Sequence, residues 1–92
     1  MMDLKHLEKI LKAMGDVNRL KILEDISGKG GCAQCSEIVK NLELAQPSVS
    51  HHIKTLIEAG LIEPEKNGRQ YTYLLNRNLY ENFLTRLKTL AG

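Results

Sequence analysis

The stretch Gln46–Arg69 reads QPSVSHHIKTLIEAGLIEPEKNGR, and its period changes halfway. Up to Ala59 the apolar residues recur as on a helix: at 100° per residue, Val49, Ile53, Leu56 and Ile57 fall within about 100° of one another. Pro47 suits the first turn, where its fixed φ fits and its missing N–H is not needed. Gly60 is a natural stop just past the end. Beyond it, LIEPEK and RQYTYLL alternate with a period of two, and Tyr71, Tyr73 and Leu75 share one strand face. Asn67-Gly68 lies between the two runs, and both central positions of a type I′ hairpin turn need φ > 0. The pattern is a helix followed by a wing.

Upstream, Ser36 is expected to cap a short helix, EIVKNLE, with Ile38, Val39 and Leu42 inward and LAQ as a tight connection. A short helix, a tight turn and a second helix make a helix-turn-helix. Further out, Leu4, Leu7, Leu11 and Met14 mark a first helix ending at Gly15. Asp16 is placed to cap a second helix carrying Leu20, Ile22, Leu23 and Ile26, which SGKGG stops before a short strand. Downstream, Leu79, Phe83, Leu87 and Leu90 mark a last amphipathic helix.

The expected fold is therefore mainly α: one winged helix-turn-helix DNA-binding domain over 1–92, with the helix-turn-helix at 36–60 and the wing at 61–75. The terminal segments 1–15 and 77–92 are expected to form a dimer interface. Both present apolar stripes that one small domain cannot cover. Pairing Leu4, Leu7 and Leu11 with Leu79, Phe83, Leu87 and Leu90 across a two-fold axis would bury them.

Ninety-two residues bound the chain to one domain, burying about 60–65% of its unfolded surface. No apolar run approaches the ~18 residues that span a bilayer, and no basic-then-apolar leader opens the sequence. The expectation is a soluble, cytoplasmic protein that makes no membrane contact. Two cysteines are too few for a disulfide scaffold. The net charge of +2 is unevenly spread. Residues 1–31 nearly balance, whereas from Lys66 onward Lys66, Arg69, Arg77, Arg86 and Lys88 face one acid, Glu81. Such asymmetry points to a polyanion.

The outer face of the second helix of the helix-turn-helix carries the candidate base contacts. Gln46 can both donate to and accept from adenine, Ser48 can bond a base or a phosphate, and His51 can donate to guanine or phosphate. Lys54, one turn on, suits a phosphate, which positions without specifying. Ser50 lies on one flank of this face, and His52 nearer the apolar edge, as a packed residue. Lys66 and Arg69 put positive charge at the wing tip, suited to a minor groove or flanking phosphates. The partner expected is double-stranded operator DNA. A winged helix used only for protein–protein contact, without a sensor, is the alternative.

The runs LKAMGDVNRLKILEDI, SEIVKNLELAQPSVSHHIKTLIEAGLIE and GRQYTYLLN resemble the ArsR/SmtB-type winged-helix repressors, from about Leu11 to Asn76. The resemblance implies a homodimeric cytoplasmic repressor released from a near-palindromic operator by an inducer, commonly a metal or metalloid ion. It also implies DNA contacts at Gln46, Ser48, Ser50 and His51 and a wing contact at Arg69. The family's metal site on the last helix uses Asp, His and Glu; NLYENFLTRLKTLAG has no His or Asp, so that site is expected to be absent.

The other family site uses a C-x-C pair near the helix-turn-helix, often with a third thiolate. Here GKGGCAQCSEIV, residues 28–39, offers C-x-x-C at Cys32 and Cys35 instead. By the resemblance, Cys32 begins the short strand and Cys35 takes a small, normally apolar position in it. Three readings stand open. The thiolates can hold a soft ion such as As(III), Cd(II), Hg(II) or Zn(II), with His6 of the N-terminal helix, from this chain or a partner copy, as a further donor. The pair can act as a dithiol–disulfide switch, with Cys35 near a helix N-terminus. Or both can be small apolar residues. His6 on its own is expected to face solvent. A thiol-redox enzyme would need a βαβ context the chain lacks, so no catalytic activity is expected.

Overall fold

The computed structural model describes residues 2–92. Its elements are α1 (Leu4–Met14), α2 (Val17–Gly28), β1 (Cys32–Gln34), α3 (Cys35–Leu42), α4 (Gln46–Glu58), β2 (Ile62–Asn67), β3 (Gln70–Leu75) and α5 (Arg77–Lys88), with a 3-10 turn over Thr89–Ala91. The fold is mainly helical with one small antiparallel sheet, a winged helix-turn-helix. Among the described residues no helix is long and apolar enough to cross a membrane.

Each helix turns one apolar stripe to a common core. Ile10 of α1, Ile22 and Ile26 of α2, Ile38 of α3, and Val49 and Leu56 of α4 are all exposed by 1% or less. The starts and stops are chemical. Asp16 accepts the amides of Asn18 (2.8 Å) and Arg19 (3.2 Å), which opens α2. Asn76 accepts the Leu79 amide at 3.1 Å and opens α5. Gly60, at φ +83°, closes α4: its N–H reaches the Ile57 carbonyl and the Leu61 N–H reaches Leu56, a paired arrangement that needs a left-handed residue. Lys29 then ties α2 to α3, with Nζ 3.0 Å from Asp25 and 2.9 Å from Glu37.

The sheet order is β1-β3-β2, with β3 in the middle. Cys32 pairs with Leu74 and Gln34 with Thr72, so β1 anchors the segment before the helix-turn-helix onto the wing's inner strand.

Five expectations need correction. The hairpin pairs Asn67 with Gln70, so its two loop residues are Gly68 and Arg69 rather than Asn67-Gly68. Gly68 alone in that turn has positive φ, +65°, which fits a turn with glycine first instead of type I′. Ser36 does not cap α3. Pairing of β1 runs to Gln34 and the helix starts directly at Cys35, with Gln34 as an N-cap that makes no side-chain bond. That start also places Cys35 in α3 rather than in the strand. The short helix ends at Leu42, because Glu43 turns left-handed at φ 54°, and Gln46 belongs to α4. Finally, Leu7 (2% exposed) and Phe83 (4%) belong to the core of this same chain. Leu7, Ile10 and Ala13, three residues apart, turn α1's stripe inward. The large apolar residues left outside on the terminal segments are Leu4 and Leu11 of α1, Leu84 of α5 and Leu90 of the 3-10 turn.

Candidate nucleic-acid interface

The helix-turn-helix consists of α3, the turn Glu43–Leu44–Ala45 and α4. Burial of Val49, Ile53 and Leu56 rolls the other side of α4 outward. Gln46, Ser48, Ser50, His51 and Lys54 are all exposed. The N-cap is Ala45, which has no side chain able to accept an amide; only its carbonyl is used, by Ser48 N–H (3.0 Å) and Val49 N–H (3.2 Å). The positive end of α4 is thus left without a capping group, a favourable place for an anion.

The wing supplies the second element. Arg69 occupies the loop, while Lys66 sits one step back, paired with Tyr71 and with its Nζ 5.8 Å from that ring's centroid. The two cations are therefore not side by side at the tip. Lys66 is steered along the strand by its aromatic neighbour, and Arg69 projects from the turn.

A groove of about 440 Å³ connects these parts, lined among others by Gln34, Cys35, Ser36, Gln46, Arg69 and Tyr71. The first residue of α4, the wing loop and the first residue of α3 share one surface. Gln34 Nε2 donates to Gln70 Oε1 at 3.2 Å and closes its sheet side.

The two cysteines do not converge. Cys32 stands with Gln34 on the exposed face of β1, opposite buried Ala33. Cys35 packs against the core beside Tyr73, whose hydroxyl is pushed above its usual value by burial first and then by the Cys35 thiol and Tyr71. Both thiols are free. Among the described residues, no cluster of three or more His, Cys, Asp or Glu side chains could hold a metal. His6 is not a free surface residue: its Nε2 lies 3.3 Å from the Ala59 carbonyl and ties α1 to the end of α4.

Sequence reasoning passed over Arg19. Its guanidinium reaches the Ala13 carbonyl (2.6 Å), the Lys12 carbonyl (3.3 Å) and Nδ1 of His52 (3.1 Å). No local pattern marked it, since the carbonyls and the imidazole that it meets lie on two other helices.

Residues 16–63 match the family model described as bacterial regulatory protein, arsR family. An arsenical resistance operon repressor of Staphylococcus xylosus is 35% identical over 80 residues, covering 87% of this chain and 75% of that protein. Among solved structures, an ArsR family transcriptional regulator superposes with a TM-score of 0.79 at 29% identity, covering 97% of this chain and 93% of that one. A homodimeric winged helix-turn-helix DNA-binding domain from Mycobacterium bovis shares the fold, with a TM-score of 0.76 at 20% identity over 96% of this chain and 80% of that one. The chain belongs to the arsR family of bacterial regulatory proteins, and its winged helix is that of a transcriptional regulator.

Proposed function

We propose that the protein is a dimeric, sequence-specific repressor. Its α4 enters the major groove of operator DNA through Gln46, Ser48, Ser50 and His51. Lys54 binds the backbone, and Lys66 and Arg69 of the wing reach flanking phosphates or the minor groove. The supporting observation is the continuous face that joins the uncapped N-terminus of α4 to the wing loop across one groove. Small polar side chains there can approach base edges, while the cations neutralise phosphates and release counterions. A two-fold dimer would present two such faces to half-sites about one helical turn apart. Gln46→Ala should lower the preference for operator over unrelated duplex, at a cost of about 1–3 kcal/mol for a lost bidentate contact. Lys54→Ala should weaken binding to both duplexes alike and flatten the salt dependence. Competition titrations in which Gln46→Ala kept full preference would refute this assignment of α4.

The proposed releasing signal is a thiophilic ion, As(III), Cd(II) or Zn(II), taken at Cys32 and Cys35. Position supports it: these residues flank the β1–α3 junction that carries the helix-turn-helix, and Cys35 lines the groove with Gln46 and Arg69. The described conformation does not fit the ion, because the thiols lie on different sides of β1. An ion that binds only a rearranged junction necessarily draws the protein away from this conformation. The check is DNA-binding titration of wild type and the Cys32→Ser/Cys35→Ser variant with each ion and with peroxide. Release of wild type alone by an ion supports the ion reading, and release by peroxide alone replaces it with the disulfide switch. Equal binding of both proteins under every agent would sink both.

A further inference from the structure

Three helices meet at one guanidinium. Arg19, in the first turn of α2, donates from Nε to the Ala13 carbonyl and from one terminal nitrogen to the Lys12 carbonyl. Both belong to the last turn of α1, where the Lys12 carbonyl also accepts the Gly15 N–H at 3.3 Å. The other terminal nitrogen lies 3.1 Å from Nδ1 of His52, on α4. A guanidinium only donates, so this contact is a hydrogen bond when Nδ1 of His52 accepts, as it can in the tautomer with its hydrogen on Nε2. Asp16 holds Arg19 in place from below, accepting its backbone amide at 3.2 Å.

We propose that Arg19 is the positioning residue of the DNA-reading helix, fastening α4 through His52 to the end of α1. The proposal rests on α4 being the DNA-reading element. It gives the adjacent histidines, His51 and His52, different tasks. His51 is exposed and faces outward, whereas half-buried His52 sets the rotation and height of α4 against α1 and α2. Since α1 is a terminal helix with exposed Leu4 and Leu11, a partner copy that shifts α1 moves α4 through the same contact.

The link has a chemical signature. Protonated His52 would turn an N–H toward Arg19 and set two cations at hydrogen-bond distance. The charged groups around this ring are Arg19 and Asp16 of α2, with the His51 ring 5.9 Å away on α4 itself. α1 approaches through the Lys12 and Ala13 carbonyls that Arg19 holds. Protonating His52 loosens α4, whereas protonating His51 adds a cation facing DNA. The two effects have opposite sign.

The test uses full-length chain in a His51→Gln background and two probes: a duplex that this background selects from a randomised pool, and a scrambled duplex of the same composition. Preference for the selected duplex is measured from about pH 8 to about pH 5, the range in which histidines titrate. The background protein should lose roughly ten- to a hundredfold of its preference across that range, as expected for one lost hydrogen bond to a charged group. His52→Gln, whose side-chain carbonyl can still accept from Arg19, should keep the preference and show no loss on acidification. His6 is present in both, so it cannot produce a difference between them. His52→Ala and Arg19→Lys should lose a similar factor at every pH while still binding scrambled DNA. Circular dichroism and thermal unfolding should show all four proteins folded. A pH-independent preference in the background, an equal acid loss in His52→Gln, or full preference in folded Arg19→Lys would overturn the proposal. A selection that returns no preferred duplex would instead overturn the DNA reading beneath it.

Discussion

At the scale of single residues, Asp16 shows how one side chain serves several neighbours. Partial burial pushes its carboxyl up; the amides of Arg19 and Asn18, then the Arg19 guanidinium and His52, outweigh this and hold it below its ordinary value of 3.8. The folded state therefore keeps Asp16 more acidic than the unfolded chain does. Ionised Asp16 contributes stability that is fully present above 3.8 and is lost as pH falls through the lower folded value. Asn caps a helix nearly as well as Asp but carries no charge. Asp16→Asn should therefore melt below wild type at neutral pH, and the difference should shrink toward zero as pH falls below 3.8, read by thermal unfolding across that range. A gap independent of pH would mean that the charge does nothing there. The cap itself was legible in the sequence, because Asp before a periodic apolar run has few other uses. Its partner Arg19 was not, because the hydrogen bonds of a guanidinium depend on where other helices end in space.

At the scale of elements, order and type followed from periodicity, and errors gathered where two local rules competed. Asn67-Gly68 satisfies the strongest hairpin dipeptide, yet pairing of Pro64 with Tyr73 and Ile62 with Leu75 sets the register one residue further on. Because that move changes each pairing by two residues, Ile62 and Tyr73 keep the buried face in either register, so alternation alone does not locate the loop. Likewise Ser36 is a good cap in isolation, but the β1–β3 ladder hands the chain to α3 at Gln34. The stop at Gly60 was readable, and a Cβ there would also meet Leu79 at 3.1 Å, a contact that no sequence rule shows. The start of α4 departs from helix rules in the opposite direction: Ala45 stands where Ser, Asp or Asn would stabilise. Ala45→Asp should add about 1 kcal/mol of stability. It should also weaken DNA binding, since the new carboxylate would occupy the amides and repel the phosphates of a duplex lying against α4. Thermal unfolding and a DNA titration on the same sample check both signs. A gain in stability without loss of binding would separate α4's N-terminus from the DNA face.

At the scale of the whole molecule, the chain exposes more surface than its length needs. Its accessible area is 6086 Å², where a compact monomer of this size has about 5,400 Å². It is 44 Å long against 23 and 21 Å across. The surplus of roughly 700 Å² is close to the ~800 Å² that each partner contributes to an ordinary stable interface. Part of it is the wing; part lies on the terminal segments, where Leu4 (61%), Leu11 (43%), Leu84 (46%) and Leu90 (58%) remain exposed. That the terminal helices carry unmatched apolar surface was legible in the sequence. Which leucines stay outside was not, because Leu7 and Phe83 share the same helical stripes and only three-dimensional packing decides that they serve the chain's own core. Those two are unsuitable probes of association, since replacing either would open the monomer. Leu11→Glu combined with Leu84→Glu alters only exposed positions, where substitutions change folding by about 0.5 kcal/mol or less. In the proposed dimer the same pair places four carboxylates in or beside the apolar contact between copies. Sedimentation should then give the mass of one chain at concentrations where wild type gives two. Operator affinity should fall by about 10²–10⁴-fold, because the second half-site would no longer be bound at high effective concentration. A single half-site, bound by one copy at a time, should lose little. A variant that stays dimeric would place the interface elsewhere, and one that becomes monomeric yet keeps full operator affinity would remove the dimer from the mechanism.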